Sequence, residues 1–466
     1  MFSIRRKPYA LLCAITLLSA CSSYSPNLTQ RQQSALQIPK QWGSAMQEQE
    51  QSEKKGEDTP TKPSLSKQLI TLINDPQLEK VVEQTLANNY DLQKTALRLK
   101  EQRLLSRQTE AARQPEINLN LSNQRAKTDD IANQHSLSLD LNWELDIWGR
   151  LADANTVASI NTYAAELDYQ AAQDSLAARV IQQWIDITMR EQILQAEMAW
   201  FDSLNATETV ITERYRDGLG NIADLEAARA ATARILASIS AREQAQQRAY
   251  RDLAMLQGIT DPASLPQARK PLLIANPPSL IPANMIANRP DLLSAYQRIL
   301  AADRNTAIAY KQLLPSFNLS ASISQLRPNI NDLLAGSTAW SLLSRLSAPI
   351  FNAGRLKSAA KISELQAEQS YLSYQQTLLI ALNEVENALT QEAALSKQQQ
   401  HYQEAFGHSE ASRLHYQAKY KEGLTDILDL LNAKQSAFEA HIQLLQIQQA
   451  RLTNRISLGL ALGMGV

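Results

Sequence analysis

The chain contains two copies of one sequence pattern, and this duplication limits the folds open to it. The run RYRDGL at 214–219 matches KYKEGL at 419–424, and WGRL at 148–151 matches AGRL at 353–356. Both matches lie 205 positions apart. We therefore predict that each half follows the same order: a helix, a strand pair, a very long helix, a tight turn and a return helix.

Each half contains a stretch that predicts an unusually long helix. Residues 150–216 include neither Gly nor Pro, and these 67 residues would span about 100 Å as one helix. The matching stretch 355–420 contains no Pro and only one Gly, Gly407. Apolar residues recur at seven-residue spacing in both stretches, which is typical of coiled-coil packing. Small Ala and polar Gln fill much of the rest, which suits helices that pack side by side around a wet interior. A plain structural coiled coil shows the same features.

Two segments, 115–147 and 315–350, predict β-hairpins. In 135–147, Leu137, Leu139 and Leu141 alternate with polar residues over a length that suits a transmembrane strand of about 9–11 residues. A soluble sheet with one buried face would show the same alternation. The fourth strand is less regular, with Leu343 on the polar face and Ser344 on the apolar face. Four strands cannot close a barrel, and open edges in lipid leave backbone groups unsatisfied. A membrane form therefore requires several chains.

The first 20 residues predict an export signal, because a basic start precedes a short apolar run. The sequence Leu18-Ser19-Ala20-Cys21 resembles the lipobox of bacterial lipoproteins. In these proteins the Cys becomes the first residue of the mature chain, and its thiol is lipidated. An ordinary signal with an incidental Cys is the alternative. Ser22 follows the Cys, where Asp would retain an enterobacterial lipoprotein at the inner membrane. We therefore predict an outer-membrane lipid anchor at Cys21.

The remaining organisation follows from composition. Residues 21–66 are polar and predict a tether, and the Pro-rich residues 257–289 predict a linker between a first repeat at 67–256 and a second at 290–466. No apolar segment of about twenty residues occurs after the signal, so any membrane crossing would use strands. The formal net charge of −1 gives no indication of a nucleic-acid partner.

No catalytic arrangement stands out in the sequence. Three histidines, His401, His408 and His415, are spaced by seven along one predicted helix. Successive members would lie about 10 Å apart, which is too far for one metal site. We predict no enzyme activity, no cofactor and no metal.

The predicted turns carry the candidate site. Gly218 and Gly423 end the two long helices, and acidic residues follow them, Asp224 in the first half and Asp426 and Asp429 in the second. In a symmetric oligomer a carboxylate ring could select cations and hold the turn region shut. Helix capping and helix-dipole compensation explain the same residues, and spacing alone favours this second interpretation.

Taken together, the motifs resemble TolC-like outer-membrane efflux proteins, in particular the lipoprotein branch that serves resistance-nodulation-division (RND) pumps. The motifs that carry the resemblance are the lipobox at Cys21, WELDIWGR at 143–150, NRPDL at 288–292, LPSFNLS at 314–320, PIFNAGRL at 349–356 and YKEG at 420–423. They cover nearly the whole chain after the signal.

The resemblance implies an α+β membrane protein and a homotrimer. Four strands per chain would form a shared twelve-stranded barrel in outer-membrane lipid, and the long helices a helical barrel in the periplasm. The turns at Gly218 and Gly423 would contact a periplasmic adaptor joined to an inner-membrane RND pump, and the duct would passively conduct drugs or other small toxic compounds. A duct for type I protein secretion and a non-channel structural lipoprotein remain alternatives.

The resemblance also assigns gate residues. Tyr420 and Asp224 correspond to one closing link, and Asp429 corresponds to one aspartate of a ring. Two positions depart from the founding member, since Asn432 replaces a second ring Asp and Thr425 replaces a gating Arg. Asp426 is the candidate to act in their place.

Overall fold

A computed structural model describes residues 68–73, 75–127, 131–267, 288–335 and 337–465. The predicted signal, the tether with Cys21 and most of the predicted linker lie outside the described residues. The chain divides into two compact units. We call Glu101–Ala164 with Ala295–Gln375 the sheet unit, and the other described residues the helical unit.

The predicted order of elements occurs twice along the chain. The first half contains α1 (Gln68–Thr71), α2 (Pro76–Asn88), α3 (Tyr90–Ala111), β1 (Glu116–Lys127), β2 (Ile131–Leu145), α4 (Arg150–Arg216) and α5 (Ile222–Gln257). The second half contains α6 (Pro290–Lys311), β3 (Ser316–Arg327), β4 (Ala339–Ser347), α7 (Arg355–Lys421) and α8 (Ile427–Ala461). Short 3-10 turns occur at Pro262–Ser264 and Ile330–Asp332. Both α4 and α7 contain 67 residues, so the long helices predicted in both halves are present.

The four strands form one antiparallel sheet in the order β1-β2-β3-β4. One row of residues across it, Leu119, Leu139, Ile323 and Trp340, lies on a single apolar face. Leu343 pairs with Ser320 on the polar face, and Ser344 pairs with Leu319 on the apolar face, so the irregular pattern predicted for the fourth strand is confirmed. Among the described strands, β1 and β4 each have one edge without a neighbour.

The described helices include none that is both long enough and apolar enough to cross a membrane.

The core of the helical unit is built from the long helices. Ile181 and Trp184 of α4 and Ala381 and Val385 of α7 have no exposed surface. The Trp184 indole donates a hydrogen bond of 2.9 Å to the Asp75 carboxylate, which also caps α2. Burial of an Ile or Val side chain contributes about 1.5–3 kcal/mol, and the small Ala381 lets helix backbones approach closely.

The motif NRPDL also has a structural basis in the helical unit. Arg289 is buried and donates to the carboxylates of Asp291 (2.8 Å) and Glu384 (2.7 Å) and to the Ala461 carbonyl (3.0 Å). The guanidinium therefore joins the start of α6 to α7 and to the end of α8.

Candidate functional site

The predicted turns form matching helix ends. Gly218 and Gly423 have φ values of +72° and +74°, a region that favours Gly. The Leu219 N–H donates to the Arg214 carbonyl at 2.8 Å, and the Leu424 N–H donates to the Lys419 carbonyl at 2.9 Å. These bonds complete a Schellman cap at each turn. A Cβ atom at either Gly would meet nothing within 4 Å, so backbone conformation alone requires Gly.

The return helices begin with equivalent caps. The Asn221 side chain accepts a 2.8 Å hydrogen bond from the Asp224 N–H, and the Asp426 carboxylate accepts a 2.8 Å bond from the Asp429 N–H. The Thr425 hydroxyl donates to the Asp429 carboxylate at 2.6 Å. Asp426 therefore has the capping role that the sequence left open, and Asp429 lies in the first turn, where the helix dipole favours a negative charge.

A buried apolar cluster lies beneath both turns. Its members are Ile211, Leu225, Ala228, Ile427 and Leu430, and we call it the turn cluster. Tyr420 packs against the turn cluster, and the Arg214 guanidinium lies 5.6 Å from the centre of its ring. The turn cluster thus joins the turns of the two halves within one chain.

The two halves of the predicted closing link, Tyr420 and Asp224, lie near the same turn cluster, since Leu225 belongs to it. Within the part of one chain that the structure describes, no hydrogen bond joins the Tyr420 hydroxyl to the Asp224 carboxylate. Asp429 and Asn432 line one shallow groove of about 420 Å³ with His408 and Tyr416. The gate assignment of these residues stays a prediction.

Lys434 is a residue of interest that the sequence did not single out. It is 5% exposed, and its ammonium donates to three neutral oxygens, the Ser203 carbonyl (3.2 Å) and the hydroxyls of Ser203 (3.0 Å) and Thr207 (2.6 Å). Burial, reinforced by the charge of Arg413, lowers the pKa of Lys434 to about 8. Its counterpart in the first half, Arg229, is exposed and pairs with Glu226.

Within the described ranges, no group of three or more His, Cys, Asp or Glu side chains is placed to hold a metal ion. His401 and Glu404 form an exposed pair at 3.5 Å, and His441 stacks on Phe406 with ring centres 4.7 Å apart. His401 and His441 therefore make contacts with neighbouring side chains of the helical unit.

The chain is duplicated and combines a four-stranded sheet that has one apolar face with two 67-residue helices and two capped turns, features that suit an outer-membrane channel protein. Residues 81–258 and 281–464 match the family model described as outer membrane efflux protein, and the chain belongs to this family.

Known relatives cover most of the chain. Cation efflux system protein CusC of Escherichia coli K12 is 28% identical over 408 residues, which are 85% of this chain and 88% of CusC. The probable outer membrane lipoprotein SilC of Salmonella typhimurium is 27% identical over 400 residues, covering 84% of this chain and 86% of SilC.

Solved structures share the fold. A crystal structure of CusC has a TM-score of 0.79 at 27% identity and covers 84% of this chain and 94% of the CusC chain. The outer-membrane channel OprN has a TM-score of 0.80 at 24% identity, covering 92% of this chain and 98% of OprN. The predicted fold class is confirmed, and the chain is an outer-membrane channel component of a tripartite efflux system.

Proposed function

We propose that three copies of this chain form one passive duct that releases small toxic compounds to the outside. A periplasmic adaptor and an inner-membrane RND pump would supply the substrate and the energy, so the chain itself would catalyse no reaction. The sheet is the observation that carries the proposal. It has one apolar face and one polar face, and its two outer edges lack partners among the described strands.

Joining three sheets edge to edge would satisfy these edges and give twelve strands. Lipid would then contact the apolar face, where Leu119 is 71% exposed and Leu342 is 64% exposed in one chain. The polar face would line water, with Asp140 accepting hydrogen bonds from Asn120, Ser138 and Ser322. In a closed barrel each face of the sheet therefore contacts the solvent that suits it, which a single chain does not achieve.

The lipid anchor at Cys21 completes the proposed attachment to the outer membrane. Lipid chains on one residue add about 0.8 kcal/mol per buried CH₂. Labelling of cells with radioactive palmitate should mark the wild-type chain and leave Cys21→Ser unmarked. Equal incorporation in both would refute lipidation at this site.

The capped turns are the proposed gate and docking region. Leu219 and Leu424, next to Gly218 and Gly423, are 71% and 68% exposed and present apolar side chains that suit a protein partner such as the adaptor. In a trimer Asp429 would recur three times around the axis, close to Tyr420, Asp224 and Asp426 of each chain. Such a ring would attract cations and narrow the entrance in the absence of the adaptor.

Planar-bilayer recording of purified trimer tests the gate. Asp429→Asn preserves the side-chain size and removes the charge, so it should raise closed-state conductance and weaken cation preference. Asp202→Asn, a matched change at an exposed position on α4, should do neither. Unchanged conductance and selectivity in Asp429→Asn would remove Asp429 from the gate.

Gene deletion separates the proposed substrate class from the alternatives. Loss of the chain should increase sensitivity to small toxic compounds and leave protein export intact. The reverse pattern would favour type I secretion, and no change in either would favour a structural role.

A further inference from the structure

The two faces of the sheet carry different charges. The strand register places all three strand carboxylates, Glu116, Asp140 and Glu144, on the polar face together with one cation, Arg345. The apolar face carries three cations, Arg125, Lys127 and Arg327, and no carboxylate within the described strands. We call these three residues the basic collar.

The basic collar lies at one end of the apolar face. The apolar rows run from Leu145, Phe317 and Leu346 up to Leu121 and Leu137. This distance is about 27 Å along a strand, which strand tilt reduces to about 20 Å of membrane thickness. The next row holds Asn123, His135 and Arg327, and Arg125 and Lys127 occupy the two rows beyond it.

Tryptophans lie one row in from each end of the five apolar rows. Trp143 lies in the second apolar row from the helix-connected end, and Trp340 lies in the fourth, 78% exposed. Trp is enriched at membrane–water interfaces. The basic collar therefore starts about 14 Å along the strand beyond Trp340, a distance that long Arg and Lys side chains shorten by reaching back toward the interface.

The end of the sheet also determines which leaflet is involved. The strands join α3 and α4 at Glu116 and Leu145, whereas the basic collar lies toward the opposite, hairpin ends. With the helices in the periplasm, the hairpin ends face outward, so the basic collar is level with the outer leaflet.

The side chains of the basic collar are available for a ligand. Arg125 and Lys127 are exposed, and neither forms an ion pair with another described residue. Arg327 donates to two backbone carbonyls, of Leu326 (2.8 Å) and Ser337 (3.1 Å), and to no carboxylate within the described part of the chain. Asp129 and Asp130, between β1 and β2 in sequence, lie outside the described residues.

We propose that the basic collar binds the phosphates of phosphorylated lipid headgroups in the outer leaflet, and so fixes the height of the barrel in the membrane. Guanidinium groups bind phosphate bidentately, and ammonium groups bind it as point charges. Three chains would present nine such cations around one barrel. This inference rests on the proposed trimeric barrel, since lipid must contact the apolar face.

Lipid binding by the full-length trimer tests the inference. The probe is fluorescent lipid A with two phosphates, titrated into trimer in neutral detergent micelles, with fully dephosphorylated lipid A as the reference. The triple variant Arg125→Gln, Lys127→Gln, Arg327→Gln should bind the phosphorylated lipid about a hundredfold more weakly, since each cation contributes about fivefold near an anionic surface. Binding of the dephosphorylated lipid should not change.

Arg345→Gln is the matched control, because it removes a strand cation from the polar face. It should bind like wild type. Wild-type affinity in the triple variant, or an equal loss in Arg345→Gln, would overturn the inference. If the triple variant does not form a trimer, the exposed single variant Arg125→Gln serves, with a fivefold loss expected and none overturning it.

Conductance keeps this failure separate from failure of the proposed function. A wild-type trimer that forms pores but binds phosphorylated and dephosphorylated lipid equally would end the collar proposal alone. A wild-type chain that forms neither trimer nor pore would end the proposed duct.

Discussion

Substitutions at Asp426, the N-cap residue of α8, can separate the effect of helix capping from the effect of charge on the stability of the turn. Asp426→Ala removes the acceptor of the 2.8 Å bond from the Asp429 N–H and should cost about 1 kcal/mol of local helix stability. Asp426→Asn retains an acceptor of nearly the same capping strength. The chain already uses this solution at Asn221, whose side chain makes the equivalent 2.8 Å bond to Asp224.

Hydrogen exchange of the assembled trimer, read by mass spectrometry on peptides covering 424–432, measures this difference. A loss of about 1 kcal/mol corresponds to roughly fivefold faster opening of the first turn of α8. We expect this acceleration in Asp426→Ala and near wild-type exchange in Asp426→Asn. Asn221→Ala should produce the same acceleration at the start of α5, as an internal control.

Two results would refute the reasoning. Unchanged exchange in Asp426→Ala would mean that the hydrogen bond contributes nothing to the helix end. Equally fast exchange in Asp426→Asn and Asp426→Ala would mean that the charge, rather than the cap, stabilises the turn.

Three further predictions concern stability, read as the apparent Tm of the detergent-solubilised trimer at one scan rate. The pKa of Lys434 is about 8 in the folded chain and 10.5 ordinarily, so the unfolded chain binds more protons between these values and wild-type stability should rise between pH 7.5 and 10. This rise should be absent in Lys434→Met. Equal slopes of Tm against pH in the two proteins would contradict the prediction. Glu392→Gln should lower the free energy of unfolding by about 3–5 kcal/mol, because Arg451 (2.9 Å) and Arg455 (3.0 Å) lose their shared buried carboxylate. A Tm within 1 °C of wild type would contradict this expectation. Gly423→Ala should lower stability by about 1–2 kcal/mol, because an L side chain is strained in the left-handed backbone conformation of this position. Gly407→Ala, in open space inside α7, should raise stability by up to about 1 kcal/mol, because Ala favours the helix. A change of the same sign in both variants would exclude backbone conformation as the reason for Gly423.

The sequence predicts the large elements of this fold because their physical causes are local. Absence of Gly and Pro is enough to indicate α4, and period-two alternation is enough to place Leu343 and Ser344 on opposite faces of β4. Gly407 shows the limit of a local rule, since the helix continues through it. The stacking of the adjacent Phe406 on His441 helps to offset the roughly 1 kcal/mol that one Gly costs.

The details of the turn region depend on distant residues and could not be predicted in the same way. Lys434 owes its buried position to Ser203 and Thr207, more than 200 positions earlier in the chain. No local pattern distinguishes it from its exposed counterpart Arg229. Similarly, spacing showed that Asp426 precedes a helix, but its capping bond required the backbone conformation of the turn.

The most direct test of the account is single-channel recording from the purified full-length chain in a planar lipid bilayer. If three sheets close one barrel around water, the protein should produce discrete conductance steps of uniform size. A protein that remains monomeric and leaves the bilayer non-conducting would contradict the shared barrel on which the proposed function depends.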